Sequence, residues 1–211
     1  MHAIIVAATL VFATAAVVSL ALPEPDIEVD DEARRLFDQP LLGFEDVCEV
    51  EGDVRIRHVR FATLDSAGRV EDRLELRTTT RTQGSAPVLE YLVDEVIVFS
   101  SASSGELRPT PAGLRLLRDE VRGAKILAAF AAAHPRVFAA DVLAPEQSCG
   151  ALRGKHEEKG KCAAIAALGC VAKIPVVCLA SLGVGYLCNY LIDKTCEENP
   201  DSCQPGWTTG E

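Results

Sequence analysis

At 211 residues, with 48% hydrophobic and 25% charged side chains, the chain can build one ordinary domain plus a small appendage, and its composition is globular rather than disordered. A formal net charge of −10 removes the basic face that nucleic-acid binding needs to neutralise phosphates. That charge is uneven: residues 23–148 hold 15 Lys and Arg against 24 Asp and Glu, residues 149–211 hold 6 against 7, and Lys largely replaces Arg at the same boundary.

The chain opens on Ala3–Leu22, a run without a charged side chain that gives way to Pro23, Glu24, Pro25 and Asp26. This is the pattern of an export signal, with Ser19 and Ala21 as small residues suited to cleavage. Only the Met1 amine and His2 stand where Lys or Arg is usual, so residues 1–22 read as an export signal or an uncleaved signal anchor. Both put the remainder outside, either secreted or on the extracellular face of the cell envelope. Residues 23–46 are rich in prolines and acids and read as extended or loosely structured, apart from a short helical turn around Glu32–Phe37.

From Val54 to Thr82 the pattern is a hairpin, with Val54, Ile56, Val59 and Phe61 before the turn Asp65-Ser66-Ala67-Gly68 and Val70, Leu74 and Leu76 after it. Its arginines alternate with acids and read as a solvated face. Val88–Ser100 is a third apolar, β-branched run, followed by a turn-rich loop to Pro111. Leu114–Ala133 has near-helical apolar spacing, with Thr110 as N-cap and Pro111 in the first turn. Residues 23–148 are thus expected to form an α+β domain.

Residues 149–161 are polar and Lys-rich, the composition of an exposed linker, and Arg153, Lys155, Lys159 and Lys161 are candidate processing positions. Beyond them, residues 163–192 contain one charge, Lys173. A first helix is predicted near 161–172, a break before Pro175, a second helix from there, and a third toward Cys196, with Gly183 and Gly185 marking a kink or turn. Residues 162–211 therefore read as a small all-α unit. A unit of this size rarely folds on its hydrophobic core alone.

Eight cysteines in an exported chain read first as four disulfides. Cys162, Cys170, Cys178, Cys188, Cys196 and Cys203 form a closed set within 42 residues, leaving Cys48 and Cys149 to pair with each other; six cysteines still allow about 15 connectivities. No metal or other cofactor is expected: there is no CxxC pair, and His156 sits among charged residues. No catalytic residue is expected either. His2, His58, His134 and His156 belong to no HExxH pattern, and neither GxSxG nor a phosphate loop occurs. His58 reads as a strand residue. A single membrane span over Ile174–Ile192 has the length, with 19 uncharged residues, but it would put an acidic tail and Cys196 and Cys203 on the reducing side.

The segment Cys162–Cys203, with Gly169-Cys170, the run Ile174–Val176, Cys178-Leu179 and further Cys-bounded apolar stretches, resembles the cysteine-rich halocin-type bacteriocin domain of haloarchaea and relatives. The likeness covers about the last quarter of the chain. It implies a precursor exported whole, whose C-terminal peptide is released and attacks target-cell membranes or a membrane receptor, while its own N-terminal domain serves as an immunity or holding partner. The chain departs from that pattern in lacking a twin arginine before the apolar segment and in having fewer cysteines. The alternative expectation is a membrane-anchored or envelope binding protein whose C-terminal module is merely stabilised by disulfides.

Overall fold

Six antiparallel strands follow one another in chain order across a single sheet: β1 Leu41–Glu51, β2 Val54–Leu64, β3 Val70–Arg81, β4 Val88–Val93, β5 Val96–Ser100 and the short β6 Arg108–Pro109. This computed structural model describes residues 31–81, 86–102, 106–143 and 154–203, so residues 1–22, expected to be an export signal, lie outside the described residues. Helix α1 (Asp31–Phe37) precedes the sheet; α2 (Pro111–Arg118), α3 (Glu120–Leu143), α4 (Lys155–Val171) and α5 (Pro175–Glu198) follow it, and a 3-10 turn closes Pro200–Cys203. The expected order, a sheet-bearing part followed by a disulfide-rich helical part, is what the structure has.

The period-2 alternation of the strands decides which face of the sheet is covered. Arg57, Val59, Phe61 and Thr63 of β2, Asp72, Leu74 and Leu76 of β3, and Leu89, Tyr91 and Val93 of β4 are all buried. Helix α3 supplies the other side of that layer: the Phe130 ring lies 6.0 Å from Phe61, 4.7 Å from Tyr91 and 6.4 Å from Phe99, centroid to centroid. Elsewhere α3 is built from alanine, and Ala128, Ala129, Ala131, Ala132 and Ala133 are almost completely buried. Side chains that short let other helices come close. Packed against α3 are α4, α5 and α1, giving a third layer. One apolar cluster therefore runs from Phe61 and Tyr91 through Phe130 and Phe138 to Ile165, Leu168, Val184 and Ile192.

Several expectations are corrected. Residues 41–46 are not loose coil: they begin β1, which is mostly exposed and earns its strand geometry from register with β2, pairing Glu51 with Val54 and Cys48 with Arg57. The run Val88–Ser100 is two strands, because Asp94 and Glu95 take φ of 48° and 67° in a tight turn. Asp94 is held there by accepting the Arg73 backbone N–H at 3.2 Å. The helix expected over Leu114–Ala133 is divided at Asp119, and its second piece continues through Pro135 to Leu143. Proline removes one backbone donor, but burial of α3 from both sides keeps the chain helical. Thr110 does cap α2, its Oγ1 accepting the Gly113 N–H at 3.2 Å.

Candidate functional site: the stapled hairpin and its seat

Helices α4 and α5 form an antiparallel hairpin, and its two small-residue contacts fix how closely they lie. A Cβ at Gly169 would stand 2.1 Å from Ser181 Oγ, and one at Gly185 would stand 2.6 Å from Ala166 Cβ. The turn between the helices places Lys173 at φ 58°, with its N–H on the Cys170 carbonyl at 3.1 Å. Cys170–Cys178 brackets that turn, Cys162–Cys188 joins the helices at mid-length with a Cα–Cα distance of 5.7 Å, and Cys196–Cys203 ties the final 3-10 turn to α5. All three bridges are internal to the hairpin. Cys48 is disulfide-bonded as well, while Cys149, the partner expected for it, lies outside the described residues.

The third helix expected toward Cys196 is absent among the described residues. Helix α5 runs unbroken through Gly183 and Gly185, because Gly185 is used for close approach to α4 rather than for a turn. The expected linker also shortens. Lys155, Lys159 and Lys161 lie in the first turns of α4, where Lys155 and Lys159 hold Asp193 of α5 at 2.7 Å each and Lys161 contacts Glu157 at 3.0 Å and Glu158 at 2.5 Å. Burial pushes the Asp193 carboxyl up, but the two ammonium groups outweigh it and leave it below the usual carboxylate range. Lys155 and Lys159 thus pair across the hairpin, and Lys161 pairs within α4. Arg153 alone of the four candidates lies ahead of the helix, outside the described residues.

The seat of the hairpin is polar at one point. The Tyr91 hydroxyl hydrogen-bonds His134 Nε2, His134 Nδ1 lies 3.2 Å from Glu158 Oε2, and all three residues are fully buried. A second buried group sits at the far end of α3. Arg57 contacts both oxygens of Asp141 at 2.7 Å and reaches Asp46 of β1, at 2.8 Å through Nε and more closely through Nη2. Burial works against the Arg57 charge, yet the two carboxylates hold its pKa above the ordinary value. This corrects the expectation that the arginines of the β2–β3 hairpin form a solvated face: Arg55, Arg60 and Arg73 are exposed, whereas Arg57 is 4% exposed. His58 is a strand residue as expected, its Nδ1 2.9 Å from Glu75.

No family model, curated protein or solved structure matches the chain. The site must therefore be read from its own geometry. Facing away from α3, α5 leaves Val176, Leu179, Leu182 and Tyr190 exposed, with Leu179 68% accessible. Positions 176, 179, 182 and 190 follow the helical repeat, so they lie along one side of the rod. The hairpin thus has one apolar face seated on α3 and α1 and another that stays in water.

Sequence reasoning found every cysteine of the hairpin and missed the polar seat. Glu158 sits among charged neighbours in the sequence, and His134 stands in a run of alanines beside Pro135. Only the second offered a signal: a histidine in the middle of an otherwise apolar stretch.

Proposed function

We propose that the chain is a secreted bacteriocin-like precursor whose C-terminal hairpin is released and disrupts target-cell membranes. The observation that carries the reading is the closure of the three described disulfides within α4, α5 and the final turn. A cut beyond Cys149, at or near Arg153, would free the hairpin without breaking any of them. Disulfides are the chemistry of an oxidising compartment, which agrees with export. While seated, the hairpin hides Ile165, Leu168, Val184 and Ile192 in the shared core. Release exposes that face in addition to Val176, Leu179, Leu182 and Tyr190, leaving a rod apolar on opposite sides.

A body of this size with two apolar faces and no interior to fold them into has its lowest free energy at a lipid boundary. Helix α5 is 24 residues long with a mean hydropathy of 1.7 over its most apolar window, enough to span a bilayer by length and composition. The hairpin is close to neutral in charge, so the attraction to lipid is hydrophobic rather than electrostatic. The front part would act as a holder, through α3 and α1. Intact mass of secreted material, with and without reduction, joined to a liposome-leakage assay on the same fraction, tests the reading. The expected result is a fragment starting near residue 154, lighter by six hydrogens than its reduced form because of its three bridges, and able to release dye. A full-length chain confined to the cell, or a fragment that leaves liposomes intact, would overturn it.

A further inference from the structure

The outer side of α5 has a finer pattern than an apolar patch. Val176, Leu179, Gly183, Tyr186 and Tyr190 succeed one another at intervals of three, four, three and four residues, the spacing of a seam that packs against a second helix. Val176, Leu179 and Tyr190 are exposed, and Gly183 and Tyr186 are half-buried. At 1.5 Å per residue the seam from Val176 to Tyr190 is about 21 Å long. Gly183 stands at its midpoint, seven residues from either end, so two such helices crossing there meet with no side chain between their backbones.

Charge sits only beyond the two ends of that seam. Lys173, in the turn just before α5, is the one charged residue from 163 to 192, and it is exposed. At the far end Asp193 is engaged by Lys155 and Lys159, while Lys194 and Glu198 line the groove between α1 and α5 together with Asp38. That leaves Glu197, exposed and seven residues beyond Tyr190, as the charge in line with the seam. One end therefore presents a cation and the other an anion.

We infer that the uncut chain forms a two-fold dimer through this face, with α5 antiparallel to α5 of a second copy and the two crossing at Gly183. Val176 of each copy then lies beside Tyr190 of the other, and Lys173 of each comes to the end that carries Glu197. A two-fold contact makes that match twice. A parallel pairing would instead set Lys173 against Lys173 and Glu197 against Glu197, so the ends select the antiparallel form. A lipid surface asks only for apolar area and takes no account of opposite charges at the two ends, which is why a second copy is the better match before the hairpin is released. The dimer depends neither on a cut nor on membrane activity, and it covers the stripe that the front part leaves in water. One helix seam is smaller than the roughly 800 Å² per partner of a standard interface, so dissociation is expected at about 1–100 μM.

The test is sedimentation velocity on the full chain, oxidised and uncut, from about 1 to about 300 μM, which brackets that range. Monomer is expected at the lowest concentration and a species of twice the mass at the highest, with nothing larger, since a two-fold contact closes on itself. Tyr190→Ser, at the outer end of the seam, is expected to weaken association at least about tenfold. Lys173→Glu and Glu197→Lys are each expected to weaken it several-fold, because each alone brings like charges together at both ends. Mixed in equal amounts, the two variant chains are expected to pair with each other as tightly as the parent pairs with itself, since both ends of the mixed dimer again join Lys to Glu.

A chain that stays monomeric over the whole range, or that grows to larger species, would overturn the dimer. So would association indifferent to Tyr190→Ser and to both charge reversals, which would place the contact elsewhere, residues 1–22 included. Reversed chains that remain weak when mixed would rule out the antiparallel pairing. If Tyr190→Ser does not fold, the charge reversals decide alone, because Lys173 and Glu197 are both exposed and outside the core. Leakage by the cut hairpin is measured separately: a hairpin that spares liposomes sinks the membrane reading and leaves the dimer standing, and a monomeric chain whose hairpin releases dye does the reverse.

Discussion

Helices α3 and α5 are the same length, 24 residues, and both are apolar enough to cross a membrane, with mean hydropathies of 1.4 and 1.7. Their environments differ: 72% of the apolar window of α3 is buried, against 39% for α5. Hydropathy thus ranks the more exposed helix as the more apolar. What separates them is neighbours. Helix α3 lies between a sheet and three helices, so its phenylalanines and the alanines around its circumference are all consumed by packing. Helix α5 is the outer wall, covered by α4, α3 and α1 on one side only. The outer apolar side chains of α5 meet no covering element among the described residues, which is why the proposed membrane contact is placed there.

The largest effect should come from breaking α3. Phe130→Ala removes a ring that meets Phe61, Tyr91 and Phe99, and a buried aromatic truncated to alanine costs about 3–5 kcal/mol. Urea unfolding should show that loss in a single transition that includes the hairpin, since the core is shared. A hairpin that keeps its helicity through the transition would show that the disulfides, and not the seat, sustain it.

Next come the bridges. Cys162–Cys188 spans 26 residues and Cys196–Cys203 spans 7, so the chain-entropy estimate gives about 3.5 kcal/mol for the first and about 2.4 for the second. Paired Cys→Ala replacements, compared by thermal melting, should follow that order. Equal losses would mean that the wide bridge closes a loop the helices already hold shut.

The comparison also marks where sequence was informative. Cysteine spacing and the loss of charge after residue 162 announced a stapled helical unit, though with three helices where the structure has two, because disulfide staples and apolar helices are local signals. The β2–β3 hairpin was legible for the same reason, with a Gly-containing turn between alternating strands. Strand β1 was not, since its outward residues carry no alternation and only pairing with β2 makes it a strand. Nor was the start of α4. Lys155–Lys161 has the composition of a linker, and it becomes helix because Asp193, 34 residues beyond Lys159, collects its lysines and His134 receives Glu158. Those are contacts at long sequence separation, invisible to a window moving along the chain.

A smaller effect is expected at the solvent side of the sheet, where Glu75 meets His58 and Arg77. Burial raises the Glu75 carboxyl, but the His58 hydrogen bond and the Arg77 charge outweigh it and hold it below the usual range. A carboxyl depressed in the folded state contributes stability that is complete above its unfolded pKa, about 4.3, and is lost as pH falls through the folded value. Melting temperatures measured from neutral pH into acid should therefore fall less steeply for Glu75→Gln than for the parent chain. Parallel curves would mean that the acid sensitivity arises elsewhere in the chain.

The smallest effect on stability, and the sharpest on the proposed activity, belongs to the outer face of α5. Leu179→Ser replaces a side chain that is 68% exposed and outside the core, so folding should change by less than about 0.5 kcal/mol. In a bilayer the same substitution exchanges a favourable residue for a polar one in the apolar stripe with Val176, Leu182 and Tyr190. Dye release by the isolated hairpin should drop several-fold while its melting curve and disulfides stay as they were. The matching change on the seated face, Ile192→Ser, should do the opposite to the intact chain, destabilising it by the full cost of a polar group in the core. Leakage that ignores Leu179→Ser would assign the exposed face of α5 to something other than lipid, and the contrast between the two apolar helices would then have to be explained by a protein partner.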